Sequence, residues 1–154
     1  MTNAALALVR AHLAAEDAQD VDATMATFTE DCWYSIPTQD LLLRGQEAVR
    51  AHYTALFSSF PDLVNQSVTL HDAGDRVFAR IVVRRHHLGA WGTFAPTGNE
   101  IVTHALAEFP LAEDGLLEAE IVHINPLEAL VQIGAVPTGN VLELARLFAE
   151  GSPR

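Results

Sequence analysis

GLLEAEIVHINPLEALVQIG, Gly115 to Gly134, decides how this chain is read. Its first half looks like a β-strand, and Pro126 then opens a short helix that Gly134 stops. Glu118, Glu120, His123 and Asn125 stand among apolar neighbours on that strand. Such groups either face an enclosed chamber or decorate an outer surface, and the segments before the strand bear on which.

Upstream, AEDG is an acidic hairpin turn joining this strand to NEIVTHALAEFPL. Before that come RVFARIVVRRHHL and LVNQSVTLH, separated by the turn DAGD, and all three segments are extended. GQEAVRAHYTALFSSF is a helix whose inward side is Ala48, Tyr53 or Leu56, and Phe60, halted by Pro61. CWYSIP is β-prone and ends at Pro37. Asp20 or Asp22 caps a short helix with Val21, Met25 and Phe28 on its apolar face. Leu6, Val9 and Leu13 mark a first helix over residues 3–17, and NVLELARLFAE adds a last one over about 139–150. Helices, a strand, a helix and then a run of strands make an α+β domain, with helices packed on one face of a mostly antiparallel, curved sheet.

With 154 residues, 49% of them hydrophobic, the chain is expected to form one domain (residues 1–154, core about 3–134) with a packed core. A formal charge of −11 argues against nucleic acid or an anionic membrane surface as partner. One cysteine, Cys32, leaves no intrachain disulfide. The first segment is interrupted by Arg10 and His12 and lacks a basic lead, so it is expected to be a helix and not a signal peptide, in a cytoplasmic protein.

In their order and spacing, FTEDCWYSIP, LRGQEAVRAHYTALFSSFPDL, HHLGAWGTFAPTGNEI and EDGLLEAEIVHINPLEALVQIG resemble the SnoaL-like polyketide cyclases, relatives of ketosteroid isomerase in the nuclear-transport-factor-2-like superfamily. The resemblance runs from about Val21 to Gly134 and implies a cone of bent sheet and three helices around a deep cavity. It also implies a catalytic aspartate on the last strand, at the position that here is Val122. Helper positions of the cyclase site fall on Leu106, Glu108 and Tyr34, so that catalytic set is not retained.

If Val122 faces the cavity, alternation puts Glu118, Glu120 and Ile124 beside it, and the same reasoning assigns His104, Leu106 and Glu108 to the cavity side of the partner strand. Glu108 then becomes the expected acid/base with a raised pKa, or else an ion-pair partner of Arg80 or Arg84. Tyr34 is an oxyanion donor or an aromatic wall, and His104 a polarising group. Trp33, Asp62, His87, Trp91, Leu106, Glu120 and Val122 are the expected substrate contacts, although Asp62 also suits a plain turn.

Adjacent His86 and His87 point to opposite faces, as do His104 and His123 on this assignment, so neither a metal nor any other cofactor is expected. Three functions remain open: a cofactor-free acid/base enzyme on a hydrophobic, polyketide-like molecule, a non-catalytic binder, and an epoxide hydrolase using Asp62 with Arg80 or Arg84. The assigned outer set, Ala105, Ala107, Phe109, Ala119 and Ile121 with His123 and Asn125, is apolar enough to predict a homodimer through that face.

Overall fold

A computed structural model describes residues 2–139 together with Glu143 and Arg146. The expected helix over 139–150 lies almost wholly outside the described residues. Helix α1 (Thr2–Asp17) leads to α2 (Val21–Met25), strand β1 (Phe28–Ile36), β2 (Leu41–Arg44) and α3 (Gln46–Ser59). Strands β3 (Val64–Asp72), β4 (Arg76–His86), β5 (Glu100–Pro110) and β6 (Leu117–Ile124) follow, and α4 (Pro126–Gln132) closes the set. The six strands form one sheet in the order β2-β1-β6-β5-β4-β3. Neighbours are antiparallel except β1 and β6, which run parallel, so the last strand is inserted beside the first.

Local chemistry explains the boundaries. Asp20 caps α2, its Oδ1 accepting from the Ala23 N–H at 2.9 Å. Asn125 does the same for α4, accepting from Leu127 N–H at 3.1 Å, while Pro126 occupies the first turn where no N–H is needed. Strand β2 was not foreseen. It follows a tight 3-10 turn (Pro37–Gln39) closed by Asp40 at φ 52°, a left-handed geometry that aspartate tolerates.

The core lies between the sheet and α1–α3. Val9 and Leu13 of α1, Val49, Tyr53 and Phe57 of α3, and Val77, Ala79 and Ile81 of β4 are all buried there. On the inward side of α3, Tyr53 and the following Phe60 are buried as expected, Val49 and not Ala48 is buried in the first turn, and Phe57 is buried beside the half-buried Leu56.

The strand register corrects the facing of β5. Ala107 pairs with Val122 and Leu106 with His123. Directly paired residues share a face, so Thr103, Ala105, Ala107 and Phe109 point inward, while His104, Leu106 and Glu108 point out. Ala105, Ala107 and Phe109 consequently belong to the core and cannot form a dimer seam. Among the described residues no helix is long and apolar enough to cross a membrane.

Candidate functional site

The helices and the concave sheet face enclose a cavity of about 330 Å³. Its wall is mostly apolar, with Ile36, Leu56, Phe60, Ile81, Val83, Trp91, Val122 and Ile124 contributing. Volume and lining are those of a small-molecule site. Into this space project Glu16, Tyr34, His52, Arg85, Thr103 and Glu120.

Behind one wall is a buried ionic cluster. His12 and Glu16 are one helical turn apart on the inward stripe of α1, and Glu120 comes from β6. His12 Nε2 lies 3.4 Å from Glu16 Oε1 and 3.4 Å from Glu120 Oε2. Tyr53 on α3 donates its hydroxyl hydrogen bond to the same Glu120 oxygen. On the other side of the ring, Nδ1 is 2.8 Å from Thr27 Oγ1, whose own proton is directed to the Thr24 carbonyl at 2.7 Å. Thr27 must therefore accept, which fixes a proton on Nδ1 and turns Nε2 toward the two carboxylates.

Burial alone would pull the His12 pKa down, but hydrogen bonds and charge from Glu120 and Glu16 outweigh it and push it up to about 9. His12 is thus an imidazolium at neutral pH. Glu120 is raised, first by burial and then by the negative charge of Glu16, against the opposing pull of His12 and Tyr53. Donor atoms of His12, Glu16 and Glu120 all lie within 4.8 Å of one another, a spacing that could hold a cation. In the arrangement present, Nε2–H is directed at the carboxylates, and the three groups satisfy one another as an ion network.

Tyr34 packs against His52, their rings tilted by 36° with centroids 4.2 Å apart. Its hydroxyl has no hydrogen-bond partner among the described residues, so it is free to donate to a ligand. Burial, reinforced by Glu120 and Glu16, pushes its pKa well above the usual phenol value, which keeps it protonated. Burial lowers His52 to about 4, leaving a neutral imidazole at pH 7.

Of the residues expected at the site, Tyr34, Trp91, Glu120 and Val122 line the cavity. Glu108 does not. It sits on the outer face, where Oε1 is 2.8 Å from His123 Nε2 and Oε2 accepts from Arg76 Nη1 at 3.1 Å. Burial pushes its pKa up, but the bonds from His123 and Arg76 prevail and the net shift is downward, the reverse of the expected direction. An ion-pair partner is present, although it is Arg76 and not Arg80 or Arg84.

His104 also faces out, 3.1 Å from Glu128 Oε1, and Leu106 is among the most exposed apolar residues. Trp33 lies on the face opposite Tyr34. Asp62 is occupied by His86, accepting from its backbone N–H at 2.8 Å, and so acts as a turn residue. His87 is fully buried behind Phe60 and Trp91 and does not line the cavity itself. Arg84 pairs with Glu100 at 3.5 Å and Arg80 is exposed, so no relay with Asp62 is assembled.

His12, Glu16, His52, Tyr53 and Arg85 were not among the expected site residues. A signal existed for three of them. His12 and Glu16 sit at i and i+4 on the stripe of Val9 and Leu13, and Arg85 occupies the next inward position after Val77, Ala79, Ile81 and Val83.

Comparison with known proteins agrees with this geometry. A family model described as the SnoaL-like domain matches residues 9–120. A Xanthomonas campestris pv. campestris protein assigned as a polyketide cyclase is 22% identical, covering 85% of this chain and 97% of its own, with a TM-score of 0.77. AclR from Streptomyces galilaeus, assigned as a hydroxylase, is 25% identical over 85% of this chain and 96% of its own, with a TM-score of 0.70. A Catenulispora acidiphila protein with a ketosteroid isomerase-like fold, solved with trimethylamine, is 16% identical over 82% of this chain and 92% of its own, again with a TM-score of 0.70. A search of curated proteins gave no match. The inserted parallel strand, the enclosed cavity and the matched residues place this chain in the SnoaL-like domain family.

Proposed function

We propose that the protein is a cofactor-independent acid/base enzyme acting on a hydrophobic, polyketide-like small molecule, of the isomerase, cyclase or dehydratase type. The supporting observation is Glu120, a buried carboxylate with a raised pKa at the edge of an apolar cavity, backed by the His12 imidazolium. A carboxylate of this kind is suited to take a proton from carbon beside a carbonyl near neutral pH. The C–H bond breaks, its electron pair moves to the carbonyl oxygen, and Tyr34 stabilises the resulting enolate by donating a hydrogen bond. Glu120 then returns the proton to the same or a neighbouring carbon. Aldol cyclisation through the family's aspartate is not open to this chain, because Val122 carries no ionisable group.

Hydrogen–deuterium exchange tests this without knowledge of the natural substrate. A bicyclic ketone such as 2-tetralone, incubated with the protein in D₂O, should lose its α-protons faster than in buffer. Ligand binding with exchange no faster than buffer would make the protein a binder and not an enzyme.

The same reading puts a second copy against the outer sheet face, now through its true outward residues. Leu42 and Leu106 are large, apolar and exposed there, and Ile121 lies between the strands that carry them. Sedimentation should find a two-fold dimer at micromolar concentration that Leu106→Arg splits. A wild-type monomer would refute the assembly without touching the chemistry.

A further inference from the structure

Arg85 has no role in the proton transfer described above, yet it projects into the same cavity. Its guanidinium donates from Nη1 to Thr103 Oγ1 at 3.0 Å and lies 4.8 Å from the centre of the Phe60 ring. Those contacts hold the plane in place but bring no negative charge. The edge formed by Nε–H and Nη2–H has no acceptor among the described residues, and Nε is buried. Among the described residues Glu128 acts on Arg85 from a distance, and the neighbouring Tyr34 hydroxyl keeps its proton. Glu128 is itself engaged by the backbone N–H and ring of His104 on the outer face.

Even for a partly buried cation the lack of a counter-ion is costly, because its removal from water is normally offset by a paired anion. Burial lowers the Arg85 pKa to about 10, which still leaves it charged at neutral pH. The guanidinium N–H groups left unpaired match the oxygens of a carboxylate, which a guanidinium binds through charge-assisted hydrogen bonds. The carboxylates of the cavity, Glu16 and Glu120, are committed to His12 and Tyr53 and form no ion pair with Arg85.

We propose that the ligand is a hydrophobic cyclic carboxylic acid, its carboxylate docked on the unpaired N–H groups of Arg85 and its ring system filling the apolar cavity. This deepens the functional reading and rests on the cavity being the ligand site, not on Glu120 being the acid/base. Anchoring one end at Arg85 would present the opposite end of the ring system to Tyr34 and Glu120. Selectivity for an anion also fits a protein whose other cavity charges are negative, because an unanchored anion would be repelled by Glu16 and Glu120.

Calorimetric titration at pH 7 with 2-naphthoate and the neutral, similarly shaped 2-naphthamide separates the charge from the skeleton. Wild-type protein should bind the acid at least about tenfold more tightly than the amide, a difference of about 1.4 kcal/mol. Arg85→Gln should bring both probes to the amide's affinity. Arg85→Lys keeps one charge but loses the planar edge, and should cut the preference at least threefold. It decides the matter if the glutamine variant does not fold. Glu120→Gln removes a repelling carboxylate and should keep the preference or widen it, so a failed catalytic reading and a failed anchor give different results. Equal affinity for the two probes, no detectable binding of the acid, or an undiminished preference in the Arg85 variants would overturn the proposal.

Discussion

Replacing His12 with leucine should lower the free energy of unfolding by about 3–5 kcal/mol at pH 7, the usual cost of removing one partner from a buried ion cluster. The imidazolium stands between Glu16 and Glu120, and leucine would leave two buried carboxylates facing each other. The pH dependence carries a distinct signature. The folded pKa of about 9 lies above the unfolded value of 6.5, so this stabilisation is complete below pH 6.5 and is lost as pH climbs through about 9. Wild-type stability should therefore decline over that interval, and His12→Leu should lack that decline.

Acidification works in the other direction on the variant, since protonating Glu120 relieves the repulsion and its deficit should shrink toward pH 5. His52, held neutral with a pKa of about 4, lowers the stability of both proteins as pH falls below 6.5 and cancels in the difference. Chemical denaturation across pH 5–9 measures all of this. A deficit under about 1 kcal/mol at pH 7 would mean that the cluster contributes little to folding.

Glu120→Gln should slow α-proton exchange by roughly 10²–10⁴, the range usual for loss of a positioned acid/base. Glutamine nearly preserves the shape and still accepts from Tyr53, so affinity for a bound ketone should stay within a few-fold. Glu108→Gln serves as the control. That carboxylate is tied to Arg76 and His123 on the outer face, and its removal should leave exchange unchanged. If the two variants behaved in the opposite way, the proton would be moving somewhere other than the cavity.

The contrast between Glu120 and Glu108 shows what was legible in the sequence. Turn residues and apolar periodicity disclosed the element order and the α+β class, because Pro37, Pro61, Asn125-Pro126 and Gly134 act on the backbone locally. Strand β2 escaped because four residues after a left-handed aspartate carry too little pattern. The facing of β5 was misread for a different reason. Both alternating sets of that strand contain apolar residues, Ala105, Ala107 and Phe109 on one side and Val102 and Leu106 on the other. Only the hydrogen-bonded register, with Ala107 opposite Val122, separates them, and a one-residue slip exchanges every side chain between faces.

The same limit governed the site. Glu120 was set on the face of Val122 by counting two positions back along its strand, and both line the cavity. Its partners come from α1 and α3, more than sixty positions away in sequence, and only tertiary packing brings them to it. His12 and Glu16 nevertheless left a trace, as charged residues on a stripe that should be apolar. Arg85 left a similar one at the inward end of β4. Polar residues at core positions were the better guide to this cavity than polar residues on the strand that first drew attention.

Central to the account is a carboxyl group at position 120 that holds its proton unusually well inside the folded protein. Carbon-13 NMR of protein labelled at the glutamate carboxyl carbons, titrated across pH 3–9, observes that group directly. One resonance should titrate clearly above the ordinary glutamate value of 4.5 and should be missing from Glu120→Gln while the others remain. A spectrum in which no glutamate titrates above 4.5, or in which the elevated resonance persists in Glu120→Gln, would contradict the assignment of Glu120 as the acid/base.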